Sequence, residues 1–133
     1  MNTRMLNVAV VALGGAIGTI LRYFISAIVY DYFRNPVFPW GTVIINLTGS
    51  LIIGLLAGWN EASPFQPNLR LFLFVGLLGG FTTFSAYSLE TINLFKNSLA
   101  GLAILNILIS NIGGILCAAG GFLLMKNLSS LLK

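Results

Sequence analysis

Four long apolar runs, parted by short polar stretches, constrain this chain more than any other feature. They lie at about residues 7–29, 41–59, 71–95 and 99–125. A helix rises about 1.5 Å per residue, so each run is long enough to cross a hydrocarbon core of about 30 Å. In lipid a spanning backbone must satisfy its own hydrogen bonds, which selects helices over loops and open strands. The four prolines fall outside the runs, Pro36 with Pro39 and Pro64 with Pro67, where they read as loops. Trp40 and Trp59 bracket the second run as interfacial anchors do. The predicted fold class is an all-α membrane protein, with residues 1–133 forming one domain of four transmembrane helices.

Composition excludes several function classes. Only 8% of the 133 residues are charged, against about 25% in soluble domains. The net charge of +4 comes from scattered Arg and Lys without a cluster, so no nucleic-acid surface is expected. Cys117 is a lone thiol inside an apolar run and reads as a small packed hydrophobe. The first apolar run is too long for a cleavable signal. There is no histidine, and the only acids are Asp31, Glu61 and Glu90. Enzyme chemistry therefore has no base, carboxylate pair or thiol partner to work with.

Orientation follows the Lys and Arg balance across the membrane. Arg4, Arg70, Lys126 and Lys133 fall on one side; Arg34 and Lys96 fall on the other, with Arg22 in the first run. So small a bias fits either one weakly determined orientation or insertion both ways. Glycines four residues apart, Gly14 with Gly18, Gly54 with Gly58 and Gly76 with Gly80, predict close helix packing. Four short helices enclose little volume, so these faces are expected to build a homo-oligomer.

The polar residues within the runs are the candidate functional positions, because lipid offers them no partner. Arg22 either snorkels to an interface or presents a fixed positive charge to anions. Asn46, near the middle of the second run, serves either as interhelical glue or as a hydrogen-bond donor. In the fourth run Asn106 and Ser110 are four apart and share a helical face, with Asn111 about 100° away. The third run carries the densest signal, "GGFTTFSAYSLE", residues 79–90. Gly79 and Gly80 weaken a helix, and β-branched Thr82 and Thr83 follow. A break near the middle of that helix would expose carbonyls at membrane depth, where protein, water or a cation must meet them. Phe84, Ser85, Tyr87 and Ser88 come next; hydroxyl donors beside aromatic ring edges suit a small anion. The alternative is a packing knot of hydroxyl-to-backbone bonds.

Three stretches together, "GGAIGTILRY", "GTVIINLTGSLIIG" and "GGFTTFSAYSLE", resemble the Fluc fluoride channels, also called CrcB proteins, along nearly the whole chain. The resemblance implies an antiparallel, dual-topology homodimer in a bacterial plasma membrane. It implies two fluoride pathways shared by both copies and a structural sodium ion where the two broken third helices cross. The function implied is passive export of fluoride down its gradient, conferring fluoride resistance. By the same resemblance, backbone carbonyls of Gly79 and Thr82 hold the sodium, and Asn46, Phe84, Tyr87, Asn106 and Ser110 border the fluoride path, with Ser85 and Ser88 beside it. Arg22 matches the arginine of the first helix; Glu90 matches the terminal glutamate of the motif and carries no assigned role. Tyr87 departs from the family's phenylalanine, and Ala86 stands where threonine is common. Two other readings fit four helices: a small multidrug-type exporter, which the lack of a central membrane carboxylate disfavours, and a structural membrane subunit.

Overall fold

The computed structural model describes residues 2–34 and 36–131. Lys133, counted above on one membrane side, lies outside them. Among the described residues four helices are long and apolar enough to cross a membrane: Thr3–Tyr32, Trp40–Ala62, Pro67–Lys96 and Ala100–Leu131. The first three outrun the apolar runs at both ends and the fourth at its C-terminal end, because hydropathy marks the part that matches lipid whereas the hydrogen-bonded helix extends beyond it.

The first two spans are single helices, α1 (Thr3–Tyr32) and α2 (Trp40–Ala62). Asn2 caps α1 by accepting the Arg4 N–H at 3.3 Å. The third span is composite. It begins with α3 (Pro67–Arg70), which has proline at its first position, where no N–H is needed. A π-helical stretch, Leu71–Leu77, leads into α4 (Leu78–Phe81). Thr82 (φ −81°, ψ 158°) and Thr83 (φ −149°, ψ 117°) are extended, and α5 (Phe84–Lys96) follows. The two threonines account for this locally. Thr82 Oγ1 donates back to the Leu78 carbonyl at 2.9 Å, and Thr83 Oγ1 caps α5 by accepting the Ala86 N–H at 3.2 Å. After a tight turn the fourth span consists of α6 (Ala100–Leu108), a second π-helical stretch (Ile109–Gly113) and α7 (Gly114–Leu131).

The glycines of the sequence fix two helix contacts. Gly14 and Gly18 set α1 against the first half of the third span. A methyl group at Gly14 would stand 2.7 Å from the Phe72 carbonyl oxygen, and one at Gly18 would run into the Leu77 carbonyl. Gly76 and Gly80 answer from the other side, facing Val11, Gly14 and Gly15. Gly54 and Gly58 lay α2 on α7 against the Ala118 and Phe122 carbonyls. Close backbone approach of this kind drives helix association in lipid, where burial of apolar surface gives no preference. Here the sequence reading is corrected. These faces are used within one chain, against its own neighbouring helices, and are not left free to build an oligomer. The reason is that spacing marks a close contact without saying which helix supplies the other half.

Lys126 pairs with Glu61 at 2.8 Å where α2 and α7 end together, and both side chains are half-exposed. The second loop and the end of α7 therefore share one membrane side, as the alternation of four spans requires.

Candidate functional site

The extended pair Thr82–Thr83 organises the middle of the chain. Asn46, on α2, treats Thr83 as a neighbouring strand would. Its Nδ2 donates to the Thr83 carbonyl at 3.0 Å, and its Oδ1 accepts the Thr83 N–H at 2.9 Å. One amide thereby bonds both backbone groups of Thr83, and it satisfies the N–H, which has left the helical ladder, while the carbonyl as N-cap of α5 also starts that helix. The Thr83 N–H is turned to Asn46, so it does not return to the Gly79 carbonyl four residues earlier. Gly49, one turn along α2, leaves the space that the Thr82 γ-methyl occupies. From α1, Arg22 Nη1 approaches the Thr82 carbonyl and Thr19 Oγ1 approaches the Gly80 carbonyl, each at 3.5 Å. Both contacts are at the long limit for a hydrogen bond. Arg22 thus reaches across to the third span rather than only outward to an interface.

Beside this pair lies a cavity of about 320 Å³. Asn46, Gly79, Thr82, Phe84, Tyr87 and Ser110 all line it, as do Thr83 and Asn111. Six of the positions singled out in the sequence therefore meet in one place, from three spans. No Asp, Glu, Lys or Arg is in the lining. The wall offers amides, hydroxyls, backbone carbonyls and three aromatic rings, of Phe74, Phe84 and Tyr87. The Phe84 and Tyr87 rings lie 5.3 Å apart at 51°. Phe84 is 75% exposed and Tyr87 only 9% exposed, and Gly79 and Ser85 are exposed as well.

The remaining positions stand apart from the cavity lining. Ser85 Oγ contacts Thr83 Oγ1 at 3.3 Å, and Ser88 Oγ donates to the Phe84 carbonyl at 2.9 Å. Asn106 is wholly buried. Its Nδ2 donates to Thr91 Oγ1 at 2.9 Å, and Thr91 donates to the Tyr87 carbonyl at 2.8 Å. Ser110 Oγ donates to Asn106 Oδ1 at 3.3 Å, linking this buried chain to the cavity wall. Asn106 therefore ties α6 to α5 from behind.

Glu90 lines a second cavity, of about 440 Å³, near the Pro36–Trp40 loop. Its Oε1 accepts from Thr42 Oγ1 at 2.7 Å, while its Oε2 is buried without a partner among the described residues. Thr42 is also buried.

Sequence reasoning passed over Thr42, Thr83, Thr91 and Asn111 as site residues. Thr42 meets Glu90, and Thr91 meets Asn106, only through helix packing. Asn111 was legible as a polar residue off the Asn106–Ser110 line, but its target was not. The wider turn of Ile109–Gly113 resets the register there and brings Asn111 Nδ2 to 2.9 Å from the Tyr87 hydroxyl.

Chemically the first cavity can accept an ion without reacting with it. Its hydroxyl and amide hydrogens suit an anion, and its carbonyl oxygens suit a hard cation. Among the described residues no three His, Cys, Asp or Glu side chains stand together as metal ligands, so the oxygens beside Thr82 are neutral ones, of backbone carbonyls, hydroxyls and the Asn46 amide.

Comparison with known proteins gives a consistent answer. The sequence profile of the family described as "CrcB-like protein, Camphor Resistance (CrcB)" matches residues 9–122. A protein of Methylobacillus flagellatus named "Fluoride-specific ion channel FluC" is 44% identical over 123 residues, covering 92% of this chain and 96% of that protein. One of the same name from Novosphingobium aromaticivorans is 44% identical over 126 residues, covering 94% and 100%. Another, from Ruminiclostridium cellulolyticum, is 47% identical over 107 residues, covering 80% and 82%. With the family profile matching most of the chain, four spans long enough for a membrane and relatives of this identity along nearly their full length, the protein belongs to the CrcB family.

Proposed function

We propose that this protein is a fluoride-selective ion channel of a bacterial plasma membrane, and not an enzyme. The observation that carries the reading is its likeness, over nearly its whole length, to proteins named as fluoride-specific channels. The first cavity supports it. A small, strongly hydrated anion needs donors to replace its water, and the wall supplies hydroxyls, amide hydrogens and ring edges with no fixed negative charge. Fluoride would leave the cytoplasm passively, down its electrochemical gradient, and so protect the cell.

The functional unit in this proposal is an antiparallel homodimer of dual topology. A single chain leaves Gly79, Ser85 and Asn111 exposed at membrane depth, where lipid cannot satisfy them. A second copy over this face would cover them and close the path, while the glycine contacts of each chain stay as they are. The extended Thr82–Thr83 pair acts as a break in the third transmembrane helix. The path runs past Asn46, Phe84, Tyr87 and Ser110, with Ser85 and Ser88 on its flank, Asn106 behind it and Arg22 drawing anions toward it. Glu90 is given no role in conduction.

A structural sodium ion fits the donor set beside the break. The Gly79 carbonyl has lost the Thr83 N–H to Asn46, and among the described residues the Thr82 carbonyl meets only the long contact from Arg22. Neutral carbonyls of these two residues, doubled by the partner copy, are hard oxygen ligands of the kind that hold such cations at broken helices. The ion would supply fixed positive charge at the dimer centre.

Purified protein in liposomes tests the function directly, with a fluoride electrode reading efflux against protein-free vesicles. Rapid fluoride loss with retention of chloride is expected, and efflux no faster than in empty vesicles would refute the reading. Labelling a tag at the C-terminus from both sides of intact cells tests the topology. Labelling from one side alone would refute dual insertion.

A further inference from the structure

We propose that Asn111 sets the hydrogen-bond polarity of the Tyr87 hydroxyl, so that Tyr87 presents an O–H donor, and not merely a ring edge, to the anion. This rests on the fluoride reading and deepens it at one position.

The direction of the bond is fixed by geometry. Asn111 Nδ2 lies 2.8 Å from the Ile107 carbonyl oxygen and 2.9 Å from the Tyr87 hydroxyl. A carbonyl oxygen only accepts, so the atom facing it must be the amide nitrogen, and a flipped amide would set two acceptors against each other. That nitrogen has no free lone pair, hence it donates both its hydrogens, one to each oxygen. The Tyr87 oxygen is therefore an acceptor toward Asn111, and its own proton must point elsewhere. Among the described residues the hydroxyl makes no further hydrogen bond.

The placement gives that proton a direction to serve. Tyr87 and Asn111 both line the first cavity, and the tyrosine is otherwise buried. With no protein acceptor among the described residues, that O–H has to find one in whatever fills the cavity, or go unsatisfied at a cost. An anion in the cavity removes that cost by accepting the bond. The carbonyl of the same residue is held by Thr91, and the ring packs beside Phe84, so the hydroxyl is carried on a fixed frame. Asn111 is the positioning residue and Tyr87 the one that meets the ion. The wide turn at Ile109–Gly113 has a use in this scheme, since it brings the Asn111 amide to the phenol. A hydrogen bond to a charged partner discriminates more strongly than a ring edge does, and it favours the small, strongly accepting fluoride over larger halides.

The test is a double-mutant cycle in planar bilayers, with conductance followed against fluoride concentration for the wild type, Tyr87→Phe, Asn111→Leu and the double variant. Tyr87→Phe removes one oxygen and keeps the ring. It is expected to raise the half-saturating fluoride concentration about tenfold or more. Asn111→Leu is expected to raise it several-fold in the native background and to change nothing further once Tyr87 is Phe. An unaltered concentration dependence in Tyr87→Phe overturns the proposal while leaving the channel reading intact. A full additional effect of Asn111→Leu on top of Tyr87→Phe overturns the positioning role. Absence of fluoride current in the wild type overturns both readings at once.

Discussion

Replacing Asn46 is the most informative perturbation, because one side chain holds both backbone groups of Thr83. Asn46→Ala removes the bonds at 3.0 and 2.9 Å and leaves the Thr83 N–H to find another partner, while its C=O remains the first acceptor of α5. Interhelical hydrogen bonds in membrane proteins are worth about 0.6 kcal/mol on average. Two of them give about 1.2 kcal/mol. Leaving a buried donor unsatisfied raises the cost to about 1–3 kcal/mol per group. Asn46 is only half-buried in the single chain, so water in the cavity offsets part of that, and a total of about 1–3 kcal/mol is expected. This corresponds to roughly a 5- to 150-fold loss in the population of the extended Thr82–Thr83 arrangement. Asn46→Asp is expected to be worse than Ala. Its first oxygen still accepts the Thr83 N–H, but the second takes the place of Nδ2 and faces the Thr83 carbonyl oxygen, acceptor against acceptor. It also places negative charge on the cavity wall. The assay pairs thermal unfolding in detergent with fluoride efflux from liposomes. The expected order in both is Asn, then Ala, then Asp. If Asn46→Ala kept native stability and native efflux, the claim that this amide holds the extended pair would be wrong.

Three further outcomes follow from the packing. Gly18→Ala drives a methyl group into the Leu77 carbonyl and to 2.8 Å from the Phe81 nitrogen, at a cost of about 1–3 kcal/mol. Gly101→Ala meets nothing within 4 Å and is expected to stabilise α6 by about 0.5–1 kcal/mol, so the pair of variants should move apart in thermal unfolding. Thr42→Val keeps the shape but strips the Glu90 carboxylate of the one side-chain hydrogen bond it has among the described residues. A loss of about 1–3 kcal/mol is expected, with Thr42→Ser restoring most of it in the same measurement. Glu61→Gln breaks a half-exposed ion pair and is expected to change stability by about 0–1 kcal/mol and fluoride efflux not at all, which serves as a control for charge changes away from the path.

Lipid allows few solutions, and that is why so much was determined by the sequence alone. The number of spans follows from four apolar runs and the proline pairs between them. The polar positions worth following also stood out at once, since Asn46, Thr82, Tyr87 and Ser110 are conspicuous in apolar runs with so few polar groups. The motif "GGFTTFSAYSLE" even carried its own local cause, in two threonines that bond back to Leu78 and forward to Ala86. What the sequence did not contain was partnership. Glycine spacing marked close contacts, yet only the folded chain shows Gly18 against Leu77 and Gly54 against Ala118. Thr42 meets Glu90 across 48 residues of chain and Asn46 meets Thr83 across 37. Asn111 finds Tyr87 through a π-helical turn that shifts the helical register. Periodicity places a side chain on a face of its own helix. Which face of which neighbour it meets is set by the packing of all four spans together, and that is decided only in the tertiary structure.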